Sequence, residues 1–222
     1  DGTIRIFNSR DGGELFTLRG HGDLVFYLAF SRDGQRLAST GDEGVVKIWD
    51  LQTRKEVIAV DAHSGGGCCV EFSNDGNRIV TGGRDNTAKI WDAVSGKHLL
   101  TLREHGFWIW QAQFSPDGTR VVTGCDDGIV RIWDSTSGTL LARSNSHNST
   151  VRGTCFSSDG ERVISSTISG VLTICDSRSL TELLSLNNMS GVSGLSISKD
   201  GNQILSLRGN ELVILDGTPK KP

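Results

Sequence analysis

The stretch GDEGVVKIWD, residues 41–50, sets a short, partly β-branched apolar run between a glycine- and acid-rich turn and a closing aspartate. Such a run reads as a strand, and its recurrence decides the fold. GRDNTAKIWD (83–92), CDDGIVRIWD (125–134) and TISGVLTICD (167–176) align with it without a gap, so Trp49, Trp91, Trp133 and Cys175 stand 42 residues apart. Phe7 of TIRIFN extends the register backwards by 42 residues, and Leu215 of ELVILD extends it forwards by 40.

Two further signatures keep this register. FSRDG (30–34), FSNDG (72–76), FSPDG (114–118) and FSSDG (156–160) are spaced by 42, followed by ISKDG (197–201). His21, His63, His105 and His147 each stand nine residues before the Phe of that motif, and Asn188 takes the place in the last unit. Within one unit LVFYLAF, QRLAST, VVKIWD and KEVIAV read as four strands, with turns at RDG, DEG and after Trp49. No window carries a convincing helix of ten residues. A four-stranded antiparallel unit cannot bury both faces alone, so neighbours must stack. Radial stacking that removes long edges is a β-propeller. The expected fold class is therefore all-β.

Composition narrows the function. A net charge of -3 over 222 residues supplies no field that would draw nucleic acid or an anionic membrane. No apolar segment is long enough to cross a bilayer and no signal peptide opens the chain, so neither membrane insertion nor secretion is expected. The five cysteines form no CxxC pair and read as buried thiols in a reducing compartment. The expected setting is cytoplasmic, nuclear, or cytoskeletal or ciliary.

The GH-like start, the FSPDG turn and the WD-like end at this spacing together resemble the WD40 repeat family over essentially the whole chain. The resemblance implies a propeller segment over 1–216. It has a partial blade at 1–20, repeat units at 21–62, 63–104, 105–146 and 147–187, and a divergent terminal unit at 188–216. A tail or linker follows at 217–222. Lettering strands a to d outwards from the axis, the chain begins with c and d, continues through four full blades and ends on a, b and c. The opening d strand could complete the last blade. The more economical expectation is a larger, commonly seven-bladed propeller of which these residues are part.

In that family a His, a Ser or Thr, an Asp and the Trp form a hydrogen-bonded structural tetrad. The resemblance implies His63, Thr81, Asp85 and Trp91, and again His105, Thr123, Asp127 and Trp133. A partial set comprises His21, Ser39 and Trp49, with Glu43 at the acidic position. The unit with His147 and Ser165 carries Ser169 and Cys175, so no tetrad is expected there. A histidine recurring once per unit is a structural feature, and no H-x-x-x-H pair supplies metal-ligand spacing. Asp33, Asp75, Asp117, Asp159 and Asp200 precede turn glycines. No catalytic pair, metal or cofactor is expected, and no small-molecule substrate. Arg84, Arg103, Arg120, Arg131, Arg143 and Arg152 are scattered among acids, which does not favour nucleic acid.

HGFWIWQAQFSPDG (105–118) holds Phe107, Trp108 and Trp110. Aligning first strands puts Val25, Ile109 and Val151 at one packing position, and Leu28, Val70, Ala112 and Thr154 at another. Trp108 and Trp110 fall in the alternate phase, level with Leu24 and Phe26. By resemblance these positions lie on the top face around the central channel. Leu24, Phe26, Trp108 and Trp110, with Arg84 and Arg152 at the margin, would form a protein-binding patch. The expected function is a non-catalytic scaffold that docks a peptide or protein partner, within a multiprotein complex. One alternative is a structural part of a cytoskeletal or ciliary assembly bound through blade sides. Another is a substrate receptor of a cullin-type ubiquitin ligase, for which Arg10 and Arg178 are the candidate contacts. Neither arginine follows an intact Trp–Asp pair.

Overall fold

A computed structural model of the chain describes residues 1–187, 192–198, 203–208 and 211–216. Strands β1 (Thr3–Phe7) and β2 (Glu14–Arg19) pair as a two-stranded sheet. The first four-stranded sheet is β3 (Val25–Phe30), β4 (Arg36–Gly41), β5 (Val45–Asp50) and β6 (Lys55–Asp61). The second is β7 (Gly67–Phe72), β8 (Arg78–Gly83), β9 (Ala88–Asp92) and β10 (His98–Leu102). The third is β11 (Ile109–Phe114), β12 (Arg120–Cys125), β13 (Val130–Asp134) and β14 (Leu140–Arg143). The fourth is β15 (Val151–Phe156), β16 (Arg162–Thr167), β17 (Leu172–Asp176) and β18 (Glu182–Leu186). A three-stranded sheet, β19 (Val192–Ile197), β20 (Gln203–Arg208) and β21 (Glu211–Asp216), ends the described chain.

The fold is all-β, and every ladder is antiparallel between sequence neighbours. Strand β2 pairs with β1 alone, so among the described residues no ladder joins the first sheet to the last. Asn188 and residues 217–222 lie outside the described residues, as does the side chain of Ser206.

The core lies between sheets, because each sheet has two apolar faces to cover. Ala38, Val46 and Ile48 of the first sheet pack on Val70, Phe72 and Ile79 of the second. Ile90 and Val80 of the second meet Ile109, Ala112 and Phe114 of the third, and Val122 and Ile132 of the third meet Val151 and Phe156 of the fourth. First strands of successive sheets, β3, β7, β11, β15 and β19, run side by side.

The S-x-D-G turns explain why each first strand reverses where it does. Ser31 Oγ donates to Asp33 Oδ1 and accepts from the Arg36 amide, while Asp33 Oδ1 accepts from the Gln35 amide. Gly34 sits at φ +69°, a left-handed conformation that glycine adopts without a steric penalty. The same bonds recur at Ser73, Ser115 and Ser157, and they hold Asp33, Asp75, Asp117 and Asp159 below the usual carboxylate range.

Arginine builds the joints between sheets. The Arg36 guanidinium lies 5.2 Å from the Phe72 ring centre and donates to the Gly76 and Ala93 carbonyls. Arg78 does the same to Phe114, Gly118 and Ser135, and Arg120 to Phe156, Gly160 and Ser177. Arg120 is thus no scattered surface charge but part of a periodic clamp.

One packing expectation is corrected. Leu28 was placed with Val70, Ala112 and Thr154 in the core, yet it is 45% exposed, and Phe30 is 59% exposed where Phe72, Phe114 and Phe156 are buried. In the later sheets this flank is covered by the sheet before. Ahead of β3, the two-stranded sheet packs Ile4 and Leu18 on Leu37 and Trp49 and leaves Leu28 and Phe30 open.

Candidate functional site

Two clusters answer to the functional residues read from the sequence. The first lies inside the sheets. In the second four-stranded sheet, Trp91 Nε1–H donates to Thr81 Oγ1 at 3.0 Å, and His63 bridges Thr81 (2.8 Å, Nε2) to Asp85 (2.9 Å, Nδ1). Burial pushes the Asp85 carboxyl up, but His63, Thr87 and Lys89 together hold it far below its ordinary range. In the first sheet, Trp49 donates to Ser39 at 2.8 Å and His21 bonds Ser39 at 2.6 Å, with Glu43 on its Nδ1. Glu43 therefore completes a set that the sequence reading treated as partial.

The third sheet departs from the implied tetrad. Trp133 and His105 both bond Thr123, at 3.0 and 2.9 Å, but His105 Nδ1 is buried without a partner. Asp127 faces Arg131 instead, in a two-pronged ion pair of 2.8 and 3.2 Å. The reason is local sterics. The residue two before the acid is Gly83 in the second sheet and Cys125 in the third. A Cβ at Gly83 would lie 2.3 Å from His63 Cγ, so a side chain at this position excludes the ring placement that reaches the acid. In the fourth sheet His147 Nε2 has no partner and Cys175 replaces the indole.

A pH dependence follows. Burial, with the Arg131 charge beside it, lowers the His105 pKa to about 3. The unfolded imidazole takes up a proton near pH 6.5 and the folded one does not, so stability falls as pH drops from about 6.5 towards 3. Between pH 7 and 4 the expected loss from this group is on the order of 3 kcal/mol. His105→Gln should flatten that part of a stability–pH profile measured by urea unfolding.

The second cluster is on the surface. The Arg84 guanidinium lies 5.3 Å from the Phe26 ring centre and 5.1 Å from that of Trp108. Trp108 and Trp110 meet edge to face at 5.6 Å, and Arg152 lies 3.5 Å over Trp110. Ring, cation, ring, ring and cation thus form one continuous ladder drawn from four sheets. Asp42 fixes Arg84 through a 2.6 Å ion pair, and Asp126 accepts from Trp110 Nε1 at 3.3 Å and from Thr150 at 2.6 Å. Phe26 and Trp108 are 45% and 41% exposed. Such stacking rigidifies side chains that would otherwise lose entropy on binding.

A concavity of about 270 Å³ lies within the ladder, lined by Phe26, Tyr27, Cys68, Arg84, Trp110, Gln111 and Arg152. Sequence reasoning missed Tyr27 and Gln111, which hydrogen-bond at 3.0 Å between the first and third sheets. Their in-phase positions carried no signal of a contact across 84 residues. Leu24 is half exposed beside the ladder, and its carbonyl accepts from the Asp42 amide. Arg10 is exposed, its amide bonded to Asn8, and Arg178 makes a loose 3.5 Å solvent-exposed pair with Glu161. The ladder and the two arginines are not brought together. All five cysteines are free and buried, and burial raises the thiol pKa of Cys68 to about 11. Among the described residues no group of three or more His, Cys, Asp or Glu side chains could hold a metal ion.

Comparison with known proteins adds the family. The chain is 46% identical over 48 residues to the vegetative incompatibility protein HET-E-1 of Podospora anserina, covering 22% of this chain and 4% of that protein. It is 44% identical over 50 residues to Coronin-7 of Rattus norvegicus, covering 22% and 5%. With Lissencephaly-1 homolog 1 of Paramecium tetraurelia it shares 36% over 55 residues, covering 25% and 14%. The aligned stretch thus spans only a small part of each of these relatives. The family model described as "WD domain, G-beta repeat" matches residues 12–50, 54–92 and 96–134, each match ending on the aspartate that follows Trp49, Trp91 or Trp133. With more than half its length in these three matches and the repeat built into four successive antiparallel sheets, the chain belongs to the WD-repeat family.

Proposed function

We propose that this chain is a non-catalytic interaction module that docks a peptide or protein partner on the face carrying Phe26, Arg84, Trp108, Trp110 and Arg152. The observation that carries the reading is the ladder itself. Large exposed rings are held rigid by arginines on a surface where four sheets converge. Aromatic and arginine anchors are the residues in which binding energy concentrates. WD-repeat domains serve as non-catalytic scaffolds, which agrees with an outward-facing patch built on a rigid frame.

The partner offers acceptors as well as apolar groups, because the patch that presents the rings also carries the two guanidiniums of Arg84 and Arg152. The setting we infer is cytoplasmic, within a multiprotein assembly, which suits five unpaired thiols.

The test is crosslinking mass spectrometry on protein captured from its native extract, comparing wild type with Trp108→Ala plus Trp110→Ala after both are shown to be folded. The expected result is a partner crosslinked beside residues 24–26 and 107–110, with its recovery reduced at least about tenfold in the variant. Undiminished recovery, with crosslinks along the outer strands β6, β10 and β14, would overturn the proposal and favour a structural assembly bound through the sheet sides.

A further inference from the structure

The concavity within the ladder carries charge of one sign. Its walls hold the guanidiniums of Arg84 and Arg152, the amide of Gln111 and the thiol of Cys68, and no carboxylate. The two cations are not equivalent. Arg84 is engaged by Asp42 through a 2.6 Å ion pair and by the Gly65 carbonyl at 3.3 Å. Arg152 stacks 3.5 Å from the Trp110 ring centre. Among the described residues its guanidinium has no ion pair and donates no hydrogen bond.

The end of Arg152 is accessible although its stem is not. Its Nε is buried and can reach no ligand, whereas the two terminal nitrogens of this half-buried residue keep solvent contact. Asp126 shares the Trp110 edge, but its carboxylate accepts from the indole N–H and from Thr150 and does not pair with Arg152. The Gln111 carbonyl accepts from Tyr27, which leaves its NH2 group as a second donor on the wall. The positive field also reaches Cys68. Burial raises that thiol's pKa, and the charges of Arg84 and then Arg152 oppose the rise.

Size and charge together define the occupant. About 270 Å³ is smaller than the roughly 300–1,000 Å³ of small-molecule sites and suits one side chain delivered by a segment lying across the rim. Leu24, Phe26 and Trp108, all exposed, supply that rim. A wholly apolar side chain would cover the Arg152 nitrogens without giving them an acceptor, which is costly for a charged donor. A basic side chain would meet like charge. A phosphorylated one brings about −1.5 to −2 charges, and Arg84, already paired, leaves no second free cation to meet them. One uncompensated guanidinium matches one carboxylate.

We propose that the docked peptide inserts a glutamate side chain into this concavity, its carboxylate paired with the terminal nitrogens of Arg152 and its apolar neighbours lying on Leu24, Phe26 and Trp108. The two methylenes of the glutamate stem cover the Phe26 and Trp110 rings on the way in. The inference rests on this face being the docking surface and names the chemistry that the face selects.

The test titrates the capped peptide Ac-Gly-Leu-Glu-Leu-Gly-NH2, and its counterparts with Gln, Lys or phosphoserine in place of Glu, into the isotope-labelled 222-residue chain. Binding is read by NMR on the side-chain N–H signals of Trp108 and Trp110. The Glu peptide should bind at least about fivefold more tightly than the Gln peptide, as a charge-assisted contact does, and more tightly than the other two. Arg152→Gln should remove the difference between Glu and Gln, while Arg152→Lys, which keeps the charge, should retain part of it. The comparison in the wild type needs no variant to fold. Equal affinity for the Glu and Gln peptides, tighter binding of the Lys or phosphoserine peptide, or a Glu preference that survives in folded Arg152→Gln would overturn the proposal. So would the absence of any shift up to about 10 mM peptide. None of these results touches the docking reading, which fails separately if capture of the native partner survives the loss of Trp108 and Trp110.

Discussion

Replacing Trp91 by alanine is expected to lower the unfolding free energy by about 3–5 kcal/mol, the cost of emptying a large ring from a packed core. Trp91 is 6% exposed, lies in the cluster that joins the first two four-stranded sheets, and meets His98 edge on at 5.1 Å. Its N–H donates to Thr81, which also bonds His63, so truncation removes a partner from a buried chain of four polar groups. For a chain of this size the loss corresponds to a fall in Tm of about 6–20 °C. Cys175→Ala, at the same register position but removing only a thiol from its core cluster, should cost only about 1 kcal/mol. The contrast is measured by urea unfolding of the two variants against wild type. Equal costs would show that the indoles do not set the stability of their sheets.

Removing the Arg84 side chain should have the largest single effect on docking. Among the described residues its guanidinium alone lies over both Phe26 and Trp108, and it is itself held by Asp42. Arg84→Ala should weaken binding of the crosslinked partner about 10–100-fold, the range of a hot-spot residue. Arg84→Lys keeps the charge but not the planar stacking surface, so it should recover only part of the affinity. Both changes should leave stability within about 1 kcal/mol, because the side chain lies on the surface and its ion pair is partly solvated. Titration of the identified partner against the three proteins checks this. Affinity unchanged in Arg84→Ala would remove the ladder from the interface.

Much of the fold was legible because it depends on residues near one another in the chain. The S-x-D-G turns close through bonds spanning two to five residues, and the 42-residue register repeats every strand. The same register shows Arg36, Arg78, Arg120 and Arg162 at equal spacing. Their role was hidden nonetheless, because for the first three the stacked Phe and accepting carbonyls belong to the next sheet.

The sites were less legible for related reasons. Alternation along β11 put Trp110 out of phase with the packing residues, but a strand pattern cannot say that Arg84, from the turn after β8, lies over Trp108. The spacing of His105 and Asp127 matches that of His63 and Asp85. Only the space taken by Cys125 and the pull of Arg131 separate the second pair. Leu28 had a core residue's pattern, and its exposure came from what does not cover it.

By itself, then, the sequence determined the repeat, its strands and turns, and the position at which an indole gives way to a thiol. Those features are set by backbone preference and by short-range hydrogen bonds. The tertiary structure alone decided which rings and guanidiniums stack, which histidine keeps its acid and where a cavity stays open. The stacking depends on contacts between residues 16 to 84 positions apart in the chain, whose distances are fixed only when the sheets pack against one another.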